Sequence, residues 1–375
     1  MTTETLPEPD KAEGAPHPRE TQDLIGQDAA QQAFLQAFNS DRMHHAWLIT
    51  GQQGIGKATL AWHIARFLLS QPADSGGMFG DLSPAPADNL TVPADTPIAR
   101  RIAALAEPRL FLCRRPWDEK NKKLRQNITV DETRKLKGFF NLSAADGGYR
   151  VTIVDAVDEM NTSAANALLK ILEEPPEKTV LLLVSHQPAR LLPTIRSRCR
   201  TLPCAPLNGS DMARALQNAG IDADPSDAQA LAILSGGSVG EAIRLMHGDG
   251  LRLYGQLVSL AATAPQLDRS AALQLADSCV GTAAEPRYTA TLRLISLLLA
   301  RLARYGAQRP AVIEEAAQGE ARMLSTLAPN AHAARRWADL AADLSARSAH
   351  ARAVNLDPSS VILDMMLKVN ETARS

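Results

Sequence analysis

The sequence predicts an α/β domain on a parallel sheet, followed by helical modules. Three observations carry that reading. Residues 150–200 run strand, helix, strand. Val151–Val154 is short and apolar and ends on Asp155, a helix follows with Ala164, Leu168, Leu169 and Leu172 as its stripe, and Thr179–Ser185 is apolar almost throughout. That order makes a parallel-sheet unit, and an unbroken apolar strand is one covered on both faces. A second strand, Trp47–Thr50, leads into the glycine-rich run G-Q-Q-G-I-G-K of Gly51–Lys57 and then into an amphipathic helix over Ala58–Leu69. Beyond Cys204 the strand patterns stop and only helical periodicity remains.

Taken in order, residues 1–20 are rich in Pro, Glu, Thr and Ala without apolar periodicity, the composition of a disordered tail. Leu24-Ile25-Gly26-Gln27 opens the folded part, and a helix over Asp28–Asn39 carries Phe34, Leu35 and Phe38 on one side. Residues 71–97, rich in Pro, Gly, Ala and Asp, read as an inserted surface loop. Arg109–Cys113 reads as a strand, Trp117–Arg125 as a charged, solvated loop, Val130–Phe140 as a helix and Gly147-Gly148 as a turn. The helix after Asp155 takes Asn161 or Thr162 as its N-cap and is stopped by Pro175-Pro176.

Three short helices, Ser210–Asn218, Ser226–Leu234 and Val239–His247, form a small module, with Gly236-Gly237-Ser238 between the last two. From about Leu251 everything reads as helix. Tyr288–Tyr305 is apolar nearly all round, so it is enclosed by neighbouring helices or by other subunits. A last helix, Pro358–Val369, carries Val361, Ile362, Met365, Met366 and Leu367, for which core packing suffices and an oligomer contact is the second reading.

The whole-chain balance excludes some classes. At 375 residues, 45% hydrophobic and 22% charged with net charge −1, the chain has no global drive toward nucleic acid or membrane. It contains no run of 18 apolar residues and no signal-peptide pattern, so the cytoplasm is the expected compartment. Cys113, Cys199, Cys204 and Cys279 are scattered without a C-x-x-C pair, which argues against zinc and against a disulfide framework.

Strand, glycine-rich loop, lysine, helix is the context of a phosphate-binding loop. Glycines such as Gly51, Gly54 and Gly56 let backbone N–H groups curl around a phosphate, the helix N-terminus adds partial positive charge, and Lys57 adds a full one. Asp155, at a strand's carboxyl end, stands where such sheets hold metal and phosphate. Two parts are missing. The hydroxyl that would ligate magnesium after the lysine is absent, because Ala58 stands there, and Thr59 is turned about 100° away along the helix. The glutamate that would activate water after the strand-end acid is absent too, because Ala156 follows Asp155, while Asp158 and Glu159 come too late to replace it.

These residues resemble those of clamp-loader AAA+ proteins. The resemblance rests on His45–Ala61, on N-A-L-L-K-I-L-E-E-P-P at Asn166–Pro176, on L-L-P-T-I-R-S-R-C at Leu191–Cys199 and on N-L-D-P at Asn355–Pro358, and it spans most of residues 22–370. It implies an α/β AAA+ domain with a parallel five-stranded sheet over 21–206, a small helical lid over 207–250 and an all-α collar over 251–375. It also implies a heteropentamer with a motor ATPase and a delta subunit, acting on a sliding clamp and primed DNA, and an arginine, here Arg198, lent to the neighbour's ATP site. Relatives that hydrolyse ATP carry a sensing arginine where Gly240 stands, and many carry four zinc cysteines where this chain has only Cys113.

Three defects in three catalytic parts point to a subunit that does not hydrolyse ATP, and the missing cysteines to one without zinc; no metal site is expected. Lys57 and the glycines leave two states open, weak ATP or ADP binding and a permanently empty site. Two other readings compete. An active AAA+ motor, of the clamp-loader or branch-migration kind, would need Thr59, Asp158 or Glu159 to substitute. A separate DNA-binding regulator would need a basic module that the sequence does not display.

Overall fold

The computed structural model describes residues 7–40, 42–72, 86–141 and 148–374. Part of the 71–97 insertion and Gly147 of the expected turn lie outside them. No helix among the described residues is long and apolar enough to cross a membrane. The chain forms two compact units, one from Met1–Leu207, Arg214–Asp222 and Ser238–Gly240, the other from Asn208–Ala213, Ala223–Gly237 and Glu241–Ser375.

The first unit holds α1 (Asp28–Asn39), β1 (Ala46–Thr50), α2 (Lys57–Ser70), α3 (Pro97–Ala103), β2 (Leu110–Arg114), a two-stranded hairpin of β3 (Trp117–Asp118) and β4 (Lys123–Leu124), α4 (Val130–Asn141), β5 (Arg150–Asp155), α5 (Thr162–Glu173), β6 (Thr179–Ser185), α6 (Pro193–Arg196) and β7 (Arg200–Pro203). The sheet is five-stranded and parallel in the order β2-β5-β6-β1-β7. With helices on both of its faces, it is an α/β sheet. The period of two splits its side chains between two cores. Trp47, Ile49, Val151, Ile153, Leu182 and Val184 face α1 and α2. Ala46, Leu48, Val154, Leu181 and Leu183 face α4 and α5. Both β5 and β6 are buried at every residue, as their unbroken apolar runs demanded.

Three local differences have physical causes. The N-cap of α5 is Asn161, whose side chain accepts the Ala164 N–H at 2.9 Å. The charged stretch after Trp117 is a tight hairpin, because the Asp118 carboxylate accepts the N–H groups of Lys120 and Asn121 at 3.1 Å. Helix α2, expected to be amphipathic, is buried on its polar side as well, including His63 and Arg66. Its cover is the N-terminal segment. Where composition pointed to a disordered tail, residues 7–20 instead pack on the unit through complementary charges and a buried ring, His17 against Trp62.

The second unit is helical: α7 (Gly209–Asn218) begins in it, followed by α8 (Pro225–Ser235), most of α9 (Val239–His247), α10 (Gly250–Ala261), α11 (Arg269–Asp277), α12 (Glu285–Gln308), α13 (Glu320–Leu327), α14 (Ala331–Ala353) and α15 (Pro358–Arg374). The apolar α12 is enclosed within its own unit, with Leu294, Ile295, Leu298, Leu299 and Leu302 buried. Gly306 lets α12 and α14 cross closely, since a Cβ there would stand 3.0 Å from the Ala334 methyl. One buried acid ties three helices: Glu320 accepts from the Tyr254 hydroxyl at 2.6 Å, from Arg301 Nε at 2.5 Å and from the Ala316 N–H at 2.7 Å.

Candidate functional site

The site lies at the carboxyl ends of the strands, where open α/β sheets bind ligands. β1 ends at Thr50, the loop Gly51–Gly56 follows, and Lys57 opens α2. The sequence-predicted residues Gly51, Gly54, Gly56 and Lys57 therefore form one loop at the N-terminus of a buried helix. Asp155 closes the far side at the end of β5.

The loop's carbonyls are held by the chain itself. Lys57 Nζ donates to the Gly51 carbonyl at 2.8 Å and to the Gln52 carbonyl at 2.6 Å. The Ser238 hydroxyl donates to the Gln53 carbonyl at 2.7 Å, and the Gly240 N–H to the Gly54 carbonyl at 3.0 Å. Gln27 Nε2 reaches the Ile55 carbonyl at 3.3 Å while its Oε1 accepts the Ala205 N–H at 2.8 Å. Five successive carbonyls thus have internal donors. Gly54 has φ +77° and no room for a side chain, since a Cβ would meet the Ser238 hydroxyl at 2.7 Å. A Cβ on Gly240 would stand 3.0 Å from the Gly54 Cα. The position where a sensing arginine was missed is therefore one where backbone meets backbone.

Electrostatics mark the same spot. Lys57 is 2% exposed, and burial lowers its ammonium to about 8 although Asp155 pulls the other way. Burial, and next the carboxylate of Asp10, raise Asp155 to about 7 against the pull of Lys57. His186 falls to about 4 through burial and then through Lys57, so it is neutral at neutral pH. An open cleft of about 370 Å³ adjoins, lined by Gln22, Leu24, His63, Arg214 and Asn218 among others. Leu24 connects the two, its methyl being 3.4 Å from where a Gly56 Cβ would lie.

The groups that would have to replace the missing catalytic parts are engaged elsewhere. Asp158 accepts the backbone N–H groups of His186 at 3.0 Å and Gln187 at 3.2 Å, capping the end of β6. Glu159 is ion-paired with Arg115 at 2.7 Å. Ala156, in the place of the water-activating acid, is buried.

Arg198 stands apart from this loop. Its side chain is 36% exposed, with Nη1 donating to the Thr194 carbonyl at 3.0 Å and Nη2 paired with Glu173 at 2.9 Å. Helix α6 and the last residue of α5 thus hold one guanidinium at the surface.

Residues 26–208 match a family described as DNA polymerase III, delta subunit. Through that region the chain is similar to this family. The DNA polymerase III subunit delta' of Pseudomonas aeruginosa is 40% identical over 229 residues, 59% of this chain and 62% of that protein. Its Escherichia coli counterpart is 30% identical over 216 residues, 58% of each chain. The Escherichia coli subunit tau is 29% identical over 272 residues, 70% of this chain and 38% of that one. The chain spans about three fifths of the length of the delta' relatives it matches. The matched region opens at residue 26, after the packed N-terminal segment. It takes in the loop, Asp155 and Arg198, but not Ser238 and Gly240.

Sequence reasoning missed Gln27, Ser238 and the closing role of Gly240. The run G-G-S-V-G at Gly236–Gly240 was the available signal, since closely spaced glycines mark a place where backbones approach.

Proposed function

We propose that this chain is a clamp-loader subunit of the delta-prime kind, working within a DNA polymerase III assembly without hydrolysing ATP itself. It acts in a heteropentamer with a motor ATPase and a delta subunit, and the assembly opens a sliding clamp and places it on primed DNA. Its contribution to chemistry is Arg198, lent in trans to the neighbouring subunit's ATP. A guanidinium stays charged and forks onto phosphate oxygens, and at a phosphoryl-transfer transition state such a finger is worth roughly a thousandfold or more in rate.

One observation carries the reading. The loop that would polarise a phosphate has its lysine committed to its own carbonyls, with alanines at 58 and 156 where a hydroxyl and a carboxylate would be needed, while Arg198 is held at the surface. The delta' relatives support the delta-prime part of this reading. The motor reading has no such support, because Asp158 and Glu159 are engaged in a cap and an ion pair.

Two assays test it. The purified chain is given ATP and magnesium, and phosphate release is followed; no turnover is expected, and turnover lost on Lys57→Ala would overturn the reading. The assembled complex with Arg198→Ala is then expected to assemble normally and to hydrolyse ATP far more slowly. A full rate would show that Arg198 is no finger.

A further inference from the structure

We propose that the N-terminal segment Glu8–Thr21 is a built-in strap that closes the phosphate side of the nucleotide cleft and competes with nucleotide for it. The inference rests on reading the Gly51–Lys57 loop as a degenerate nucleotide site, and it assigns that site an occupant from the same chain.

The strap is fastened at three places. At one end Arg114, the last residue of β2 and the register partner of Asp155 on β5, pairs with Asp10 and, at 2.9 Å, with Glu8. The Asp10 side chain is fully buried there, at the carboxyl edge of the strands. In the middle, Ala12 comes to 3.8 Å from where a Gly240 Cβ would lie, and Gly240 is bonded to the loop at Gly54. At the other end the strap lies along α2. His17 is 1% exposed and meets Trp62 edge-on with centroids 6.0 Å apart. The buried Arg66 donates to the Thr21 carbonyl at 2.7 Å, and His63 Nε2 to the same carbonyl at 3.2 Å.

The strap also braces itself. His17 Nε2 stands 3.2 Å from Asp10, and Arg19 pairs with Glu8 at 2.8 Å; Arg19 Nε also ties the strap to α3, donating to the Ala103 carbonyl at 3.1 Å. Two acids of the strap are thus placed beside the strand ends next to Asp155. A triphosphate is an anion that needs the same ground and the same nearby cations. Acidic strap and anionic ligand cannot share it, so nucleotide must lift the strap before binding. Apparent affinity then falls by the fraction of molecules in which the strap is open.

The test uses the full chain with Glu8→Lys and Asp10→Lys together, which sets like charges against Arg19 and Arg114 and leaves the core side chains in place. Binding of a fluorescent ADP analogue is measured by anisotropy. The reversed variant is expected to bind at least about tenfold more tightly than the native chain. Lys57→Ala in the same background is expected to cancel the gain. Unchanged affinity, or a gain that survives loss of Lys57, overturns the proposal.

Should the reversed variant melt early, hydrogen exchange on the native chain decides. The amides of Lys11, Ala15, Arg19 and Glu20 are expected to be protected and to exchange faster when millimolar ADP is added. Free exchange from the start, or no response to ADP, overturns the strap. Phosphate release is read in the same samples. Turnover by the opened variant would overturn the non-hydrolysing assignment and leave the strap standing, whereas unchanged affinity without turnover would do the reverse.

Discussion

Replacing Asp155 by Asn isolates the cost of a buried charge in the candidate site. Asp155 ordinarily titrates at 3.8 and is raised to about 7 in the folded chain, first by burial and then by Asp10. A carboxyl raised in this way favours the fold fully below pH 3.8, and that contribution is lost as pH rises through about 7. At about 1.4 kcal/mol per pH unit, the loss amounts to about 4 kcal/mol. Asn does not titrate, has nearly the same shape, and leaves Lys57 its two carbonyl acceptors. The stability of Asp155→Asn relative to the native chain is therefore expected to rise by about 4 kcal/mol between pH 4 and pH 8. Every other titrating group is common to both proteins and largely cancels in the difference. Urea unfolding followed by tryptophan emission reads it, because Trp47, Trp62 and Trp117 all belong to the unit that contains Asp155. A difference that stays flat across this range would mean that Asp155 is hydrated or fully paired with Lys57, and the electrostatic account of the site would fall.

Three further perturbations bear on separate parts of the chain. Arg198→Ala is expected to change the stability of the isolated chain by no more than about 1 kcal/mol, since the Glu173 pair is exposed, while the assembled complex loses roughly a thousandfold in ATPase rate; melting curves and phosphate release read the two effects. Gly240→Arg restores the sensing residue by name, yet its Cβ would stand 3.0 Å from the Gly54 Cα, so a loss of about 1–3 kcal/mol without any turnover is expected. Turnover at unchanged stability would show that position 240 can take a side chain after all. Glu320→Ala strands the buried ends of Tyr254 and Arg301, and chemical denaturation is expected to show the second unit weakened by about 3–5 kcal/mol.

The sheet was legible because period and punctuation agree. Strands β5 and β6 are apolar on both faces and bounded by Asp155, Pro175-Pro176 and His186, so burial and limits could both be read. The loop was legible because a glycine run between strand and helix has few other uses. The strap was not. Its holding forces are ion pairs, hydrogen bonds to carbonyls and one ring contact between residues roughly 42 to 106 positions apart, as in His17 with Trp62 and Glu8 with Arg114. Neither leaves a periodic trace, and a segment rich in Pro and Glu has the composition of an unstructured one. The polar residues His63 and Arg66 in α2 were the one hint, since they had either to face water or to find acceptors, and they find the Thr21 carbonyl. The closing of Gly240 onto Gly54 was hidden for a similar reason: glycine announces space, not what fills it.

The bonded carbonyls of the loop bear on whether its rigidity depends on a ligand. A fold completed by its ligand gains stability as the logarithm of ligand concentration, so its rigidity rises and falls with that concentration. Here Gly51, Gln52, Gln53, Gly54 and Ile55 are held by Lys57, Ser238, Gly240 and Gln27 of the same chain. The shape of the loop carries no concentration term. The frame of this loop is set by the fold itself, so a bound ligand would meet a surface already in place.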